Sequence, residues 1–559
     1  MVILGLGDGV DAAAALVIDN QLIAVESQER HDRTPRSRAF PWAAIEEILE
    51  EAGLRARHVD QVVVAGQFTP SFFLRKHPNL KRLVKDAFSP AIDAGVFVQA
   101  LLRQSGLGAF EADRAAEWIE NILKGKGFNP QRVHAMDTHR ALAEGAYRTQ
   151  ERDDLLVFSL HPLGDGAAFA VHRGTDGQMD RVFGQRGFSA LHVHLQRCAT
   201  AMGFDPVLQE QHMWAVAAKG TPDIRLLELL SHELHAEGPR LSWRGYPLPQ
   251  ARTAPVYRAL AEMDVATAAS SVLTNLIRAV QSVIRFHVRA NQIGDIAVVG
   301  SVFDNPRLCG SIADLDEVKS VWVPPTPGNG LLPIGAAAAG SGLAPRLLKT
   351  TLYGRQYHER QHERALAVSN VQGVKPADEA EALAGILATG KPVARFRGRA
   401  GITRCGSGAR SALVRADDPA AVEHLRNLLH RPAHEEPVGL WLPTPNDGVV
   451  HQMDKLSDAL ATGAVAVRVD DKFGARYPGI VLADGQAHLL RVDPEADPRL
   501  HALLSALHRR TGCAALACFP LADGDDPAVS VPGDALKTWR RADLPNLLLG
   551  PFLLQTTDG

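Results

Sequence analysis

Cysteine is scarce in this chain of 559 residues, and its few copies are scattered. Cys198, Cys309, Cys405, Cys513 and Cys518 are odd in number and none stands in a CxxC pair, which argues against a thiolate zinc site. So sparse a set suits a reducing compartment, and we expect a cytoplasmic protein. Long hydrophobic runs are also missing. A bilayer-crossing helix needs about 18 or more apolar residues, and no such run occurs. The first residues lack a basic-then-apolar signal pattern, because Asp8 and Asp11 interrupt them. No strong excess of one charge exists: the net charge is −3, which argues against a broad polyanion-binding surface while allowing a local basic pocket. We therefore expect neither a nucleic-acid nor a membrane partner. What remains is ordinary globular composition, 46% apolar and 22% charged, in a chain long enough for several domains.

The most informative stretch is Val2–Val25, VILGLGDGVDAAAALVIDNQLIAV. Val2-Ile3-Leu4 reads as a strand ending at Gly5. A glycine-rich loop follows with Asp8 and Asp11. Ala14–Ile18 and Leu22–Val25 form a hairpin around Asp19-Asn20-Gln21, residues suited to a tight reversal. The same unit recurs: Leu155–Leu160 is a strand, Gly164-Asp165-Gly166 a glycine-acid loop, and Ala167–Val171 turns at Gly174–Gly177 into Met179–Phe183. A strand, Gly/Asp loop and hairpin, repeated within one chain, is similar to the opening unit of both halves of an actin-like nucleotide-binding fold. In such a fold the two loops face one cleft, where backbone N–H groups hold phosphate and a carboxylate positions metal or water.

Between the repeats, Phe40–Leu54 reads as a helix closed by Gly53, Val62–Val64 as a strand, and residues 72–128 as helix-rich. That region carries Arg75-Lys76-His77 and Lys81-Arg82, a basic segment expected to be a solvated helical face and a possible partner surface. Val133–Met136 is a strand, and Asp137 or Thr138 caps the helix that follows. Further on, Leu191–Phe204 is amphipathic and Ala266–Val288 is a long helix. Ile296–Val299 and Val318–Val323 are strands, and Ile334–Gly340 is a helix of small residues. A boundary falls between Gly342 and Pro376. A third unit then begins, with strands at Val393–Phe396, Ala464–Val469, Gly479–Leu482, His488–Val492 and Ala514–Phe519 and helices at Pro419–Leu429 and Pro498–Arg510.

This order of motifs resembles the carbamoyltransferase family of nodulation-factor, cephem and aminoglycoside tailoring enzymes. The resemblance runs through ILGL…DAAAALVID, ESQERHDR, Glu210–Met213 with Lys219-Gly220, and Gly300–Asn305. It continues through Pro327–Gly330 with Gly335–Ala337, Leu352–Gly354 with Tyr357, GKPVARFRGR, Gly408 with Arg410-Ser411, and Pro532–Leu536. It implies an α/β protein with an actin-like (ASKHA) N-terminal domain of two ribonuclease-H-like halves, followed by a YrdC-like α/β C-terminal domain. The expected limits are 1–350 (halves 1–152 and 153–350), a linker at 351–375, and 376–559. The family uses ATP and carbamoyl phosphate, forms carbamoyl-adenylate in the C-terminal domain, and transfers the carbamoyl group at a mononuclear iron site in the N-terminal domain.

The chemistry-bearing positions depart from that pattern. The family's iron motif, HHxxHA, aligns with Thr138-His139-Arg140-Ala141-Leu142-Ala143, so both ligand histidines are replaced, by Thr138 and Leu142. Asn329 stands where the third ligand, an aspartate, belongs. We therefore expect no metal ligands. His139, alone at a helix start, is more often structural than a ligand. Val10 occupies the place of a family histidine before Asp11, and of DGxGD only Gly164-Asp165 remains. In the third unit, Arg404 lies one place from a lost arginine, the lysine of the basic motif is absent from Asn427–Glu435, and an amide-rich loop has become Ala517–Leu521. Lost phosphate clamps forfeit charge-assisted hydrogen bonds of roughly 1.5–3 kcal/mol each.

Two readings follow from the resemblance. In one the protein is a catalytically reduced or non-catalytic subunit beside an active paralogue, or a homodimer, in a tailoring pathway. In the other it is an active ATP- and carbamoyl-phosphate-dependent transferase acting on a small-molecule acceptor, iron-bound if active. Asp11, His139 and Asp165 would then be catalytic, and Asn305, Arg399, Arg404, Arg410 and Ser411 would hold nucleotide or phosphate.

Overall fold

The computed structural model describes residues 1–70, 75–76, 98, 101, 108–186, 191–204, 209–243, 254–403 and 407–556. They form two compact units, one of Met1–Ile23 with Arg36–Leu347, the other of Ala24–Pro35 with Leu348–Gly559.

In the first unit the hairpin of the opening stretch is β2 (Ala13–Ile18) and β3 (Gln21–Ser27), and β1 is Val2–Gly7. With β4 (Gln61–Ala65) and β5 (Arg132–Met136) they make a sheet of order β3-β2-β1-β4-β5. The repeat at Leu155 gives β6 (Leu155–Gly164), β7 (Ala167–Thr175) and β8 (Gln178–Arg186). A short hairpin, β9 (Leu234–Glu237) and β10 (Arg240–Trp243), stands apart. With β11 (Asp295–Val299) and β12 (Ser320–Trp322), the second sheet reads β8-β7-β6-β11-β12. Directions also repeat. β1 is antiparallel to β2 and parallel to β4, which is parallel to β5. β6 is antiparallel to β7 and parallel to β11, which is parallel to β12. Central strands such as VILGLG and DIAVV are almost wholly apolar because neighbours and helices bury both of their faces. The order 3-2-1-4-5, found twice, is the duplicated arrangement of an actin-like α/β fold.

Each half lends its last helix to the other. Thr138–Arg148 follows β5 but packs on β6, β7 and β11, while Leu332–Ser341 follows β12 but packs on β1, β2 and β4. The two helices also cross one another, and glycine permits the approach. A Cβ on Gly335 would lie 1.8 Å from the Ala141 carbonyl oxygen, and one on Gly5 would lie 2.0 Å from that of Pro333. The small-residue run LPIGAAAAGS is thus the contact surface itself.

The second unit is built on an eight-stranded mixed sheet. Its strands are β13 (Val393–Phe396), β14 (Arg410–Arg415), β15 (Val438–Trp441), β16 (Val465–Arg468), β17 (Gln486–Arg491), β18 (Ala515–Pro520), β19 (Asn546–Leu549) and β20 (Phe552–Gln555). Their order is β16-β17-β15-β18-β14-β13-β19-β20. Helices Glu379–Ala388 and Pro498–Thr511 pack together over it, and Leu383, Leu387, Leu413, Leu500, Leu504 and Leu516 form its core. The Val25 N–H donates to the Tyr353 carbonyl at 3.0 Å and Arg30 donates to Gly401, which ties Ala24–Pro35 into this unit. Of the expected strand Gly479–Leu482 only an isolated bridge, Val481 to Ala487, forms, because the chain reverses at Gly485. Among the described residues no helix is long and apolar enough to cross a membrane.

Candidate functional site

The glycine-acid loops of the first unit place Asp8 and Asp11 after β1 and Asp165 after β6. Asp11 and Asp165 adopt left-handed backbone, with φ of 59° and 50°, which short polar residues tolerate. Asp165 is held by the unit's own groups. Its Oδ2 accepts hydrogen bonds from the Gln67 N–H (3.0 Å), the Thr138 N–H (2.6 Å) and the Thr138 hydroxyl (2.9 Å), and its Oδ1 accepts from the Phe68 N–H (2.7 Å). Its own N–H donates to Thr69 Oγ1 at 3.0 Å. The carboxylate therefore fastens the Gly66–Thr69 loop and the start of the Thr138 helix to the second half of the unit.

His139 is fully buried. Its Nε2 lies 3.0 Å from the Ala167 carbonyl and its Nδ1 2.7 Å from Ser159 Oγ. Burial disfavours the charged ring and lowers its pKa, and Ser159 Oγ donates in turn to the Ala170 carbonyl at 3.2 Å. Asp137 caps the same helix, its side chain accepting from the Arg140 N–H at 2.9 Å. The ring is held as a structural histidine would be.

Asp11 is buried and accepts a hydrogen bond from Asn329 Nδ2 at 2.9 Å, with Arg36 Nε at 3.6 Å. The structure thus joins two residues that the sequence comparison treats separately, Asp11 and Asn329. Asn305 is a helix cap: its Oδ1 accepts from the N–H groups of Arg307 (3.0 Å) and Leu308 (3.3 Å). Thr138 donates to Asp165, Leu142 lies in the core and Asn329 donates its amide to Asp11. Leu142 has no ligand atom, the Thr138 hydroxyl is engaged by Asp165, and Asn329 offers only a neutral amide oxygen. These residues do not fit the family's iron.

Two features of this site are not evident from the sequence. The basic run places Arg75 on an exposed face, but the residue is buried. Its Nε lies 2.9 Å from Asp8 Oδ2, and it donates from Nη2 to the Gly66 carbonyl at 2.7 Å. His77, Lys81 and Arg82 lie outside the described residues. Burial pushes the Asp8 carboxyl pKa up, and the Arg75 charge opposes that shift. His161 is the second feature. It is buried, its ring sits edge-on to His139 at 6.4 Å between centroids, and burial lowers its pKa to about 3. The charges of Asp11 and Arg36 also reach it.

In the second unit the arginines expected to hold phosphate are engaged by backbone. Arg410 is buried, stacks on Phe396 at 3.8 Å, and donates to the carbonyls of Arg397 (3.1 Å), Ala409 (3.2 Å), Arg355 (3.2 Å) and Gly398 (2.9 Å). Burial lowers its pKa to about 9, which leaves it charged at neutral pH. Arg399 donates to the Gly354 and Tyr353 carbonyls, both at 3.1 Å. The buried Ser411 accepts from the Gly408 N–H at 3.2 Å. Arg404 lies outside the described residues. Ala517–Pro520, aligned with a polar loop of the family, lies within β18 inside the sheet, where a strand was expected over Ala514–Phe519.

The model of the carbamoyltransferase N-terminus matches residues 2–338, and that of the carbamoyltransferase C-terminus matches 384–556. The chain belongs to the carbamoyltransferase family. An uncharacterized Synechocystis protein is 23% identical, over 98% of this chain and 95% of its own. Nodulation protein NolNO of Sinorhizobium fredii is 23% identical, over 98% and 79%. Nodulation protein NolO of Bradyrhizobium diazoefficiens is 24% identical, over 51% and 54%. Among solved structures, T. kodakarensis HypF aligns at 12% identity and a TM-score of 0.37, over 61% of this chain and 47% of its own. For this carbamoyltransferase-family chain, the twice-repeated strand order identifies the fold.

Proposed function

We propose that this chain is a catalytically reduced member of its family that serves as the partner subunit of an active carbamoyltransferase in a biosynthetic tailoring pathway. One observation carries the reading. The Asp165 carboxylate accepts four hydrogen bonds from the unit's own backbone and side chains, so recruiting it for chemistry would break the joint between loop and helix. The engagement of His139 by Ser159 and Ala167 supports the same conclusion. The test is reconstitution with a family member that keeps the intact HHxxHA motif. Co-purification, with transfer requiring both chains, supports the reading; full activity of the intact member alone overturns it.

A second reading, an active transferase with rearranged residues, draws on the buried atoms of Asp8, Arg75 and His161 that lack hydrogen-bond partners among the described residues. Such groups often mark ligand sites. Carbamoyl-phosphate-dependent ATP turnover by the chain alone would establish that alternative.

A further inference from the structure

We infer that Arg75 is a resident cation: its guanidinium closes the crevice beyond the carboxyl ends of β1 and β4 to a divalent metal ion. The inference goes beyond the proposed function and does not rest on it.

Topology marks the crevice. From β1 the chain adds β2 and β3 on one side, then returns to add β4 and β5 on the other, so the direction of strand addition reverses between β1 and β4. These two strands run parallel and end level, with Gly7 beside Ala65. In open α/β sheets, ligands bind past the carboxyl ends of the strands at such a reversal. The residues that follow the two strands are Asp8 and Gly66. A carboxylate and a backbone carbonyl are oxygen donors that suit Mg2+, Ca2+ or Mn2+.

Arg75 takes both donors for itself. Its Nε lies 2.9 Å from Asp8 Oδ2, and its Nη2 donates to the Gly66 carbonyl at 2.7 Å. Gly66 is fixed in turn, because its N–H donates to the Met136 carbonyl at 2.8 Å. Asp8 and Arg75 are each only 6% exposed. Their contact is one of charge: among the described residues neither Asp8 oxygen has a hydrogen-bond partner, and nor has Arg75 Nε. Burial raises the Asp8 carboxyl pKa, the Arg75 charge opposes that rise, and the charge of Asp165 adds to it. Removing the guanidinium would leave Asp8 buried within reach of a second carboxylate, a setting that favours uptake of a proton or a cation. It would also free the Gly66 carbonyl and leave the space that the side chain fills. A purely structural ion pair makes a different forecast: loss of Arg75 destabilises the chain and creates no metal site.

The probe is Mn2+, titrated into the full chain and followed by the six-line electron paramagnetic resonance signal of the free ion, which is lost on binding. Three proteins are compared: the native chain, Arg75→Ala, and Asp8→Asn/Arg75→Ala, which removes both charges and so avoids an orphaned ion. Arg75→Ala should take up about one more Mn2+ per chain than the native protein, and Mn2+ should raise its melting temperature. The double variant should bind no more than the native chain. Arg75→Ala that matches the native chain, or an extra ion that persists in the double variant, would overturn the inference. Should Arg75→Ala fold only with Mn2+ present, that dependence supports it. Should it fold under neither condition, the native chain and the double variant decide: equal uptake supports a crevice closed by Arg75, and greater uptake by the native chain overturns it. No arm of this experiment reads carbamoyl transfer or ATP turnover, so its outcome and that of the reconstitution are independent.

Discussion

Asp165 and two buried histidines set the expectations at the scale of residues. Asparagine at position 165 would tolerate the same left-handed backbone but carry one acceptor oxygen in place of two. Whichever way the amide turned, at least one of the donors on Gln67, Phe68 and Thr138 would face an amide nitrogen that cannot accept. Asp165→Asn should therefore cost about 1–3 kcal/mol, read as a lower urea midpoint; an unchanged midpoint would contradict the structural role. His161 and His172 titrate in the folded state near pH 3 and 2, well below the usual histidine value, chiefly because burial disfavours the charged ring. From pH 6.5 down to about 3 the unfolded chain binds more protons at these sites, so stability falls as pH falls through that window. Each histidine contributes a slope of up to about 1.4 kcal/mol per pH unit. His161→Gln should flatten the stability profile between pH 6.5 and 4, and a profile of unaltered slope would refute the assignment. At this scale the sequence is only partly legible. Asp11 and Asp165 stand out because glycine-acid loops are local patterns. The burial of Arg75 is invisible within its basic run, because its partner, Asp8, is distant in sequence.

Among the elements, the exchange of helices between the two halves of the first unit depends on glycine at the crossing. Gly335→Ala would set a methyl group against the Ala141 carbonyl at 1.8 Å, where neither backbone can retreat without moving a whole helix. Overpacking of this kind costs about 1–3 kcal/mol or more, and circular dichroism should show a lower melting temperature. A variant that melts with the native chain would mean that the helices do not cross there. The strands of both halves are readable from short apolar runs bounded by Gly and Asp. The helix exchange is not, because it pairs segments nearly two hundred residues apart and leaves only a run of small residues as its trace. In the second unit β18 is legible from its own apolar pattern, ALACFP, as the strand expected over Ala514–Phe519.

For the whole molecule, family membership and fold agree. His139, Asp165, Asn305, Arg399 and Arg410 are each engaged by the chain's own backbone. Thr138, Leu142 and Asn329 are where the sequence departs from the motifs it resembles. What those positions do instead depends on hydrogen bonds that only the three-dimensional arrangement supplies. Carbamoyl-phosphate-dependent ATP turnover of the purified full chain decides whether this chain alone leaves the family's reaction undone, as proposed. The rate should be no different from that of heat-inactivated protein. Turnover at the usual enzymatic level, about 1 s−1 or above, that is abolished by Asp11→Ala would contradict it.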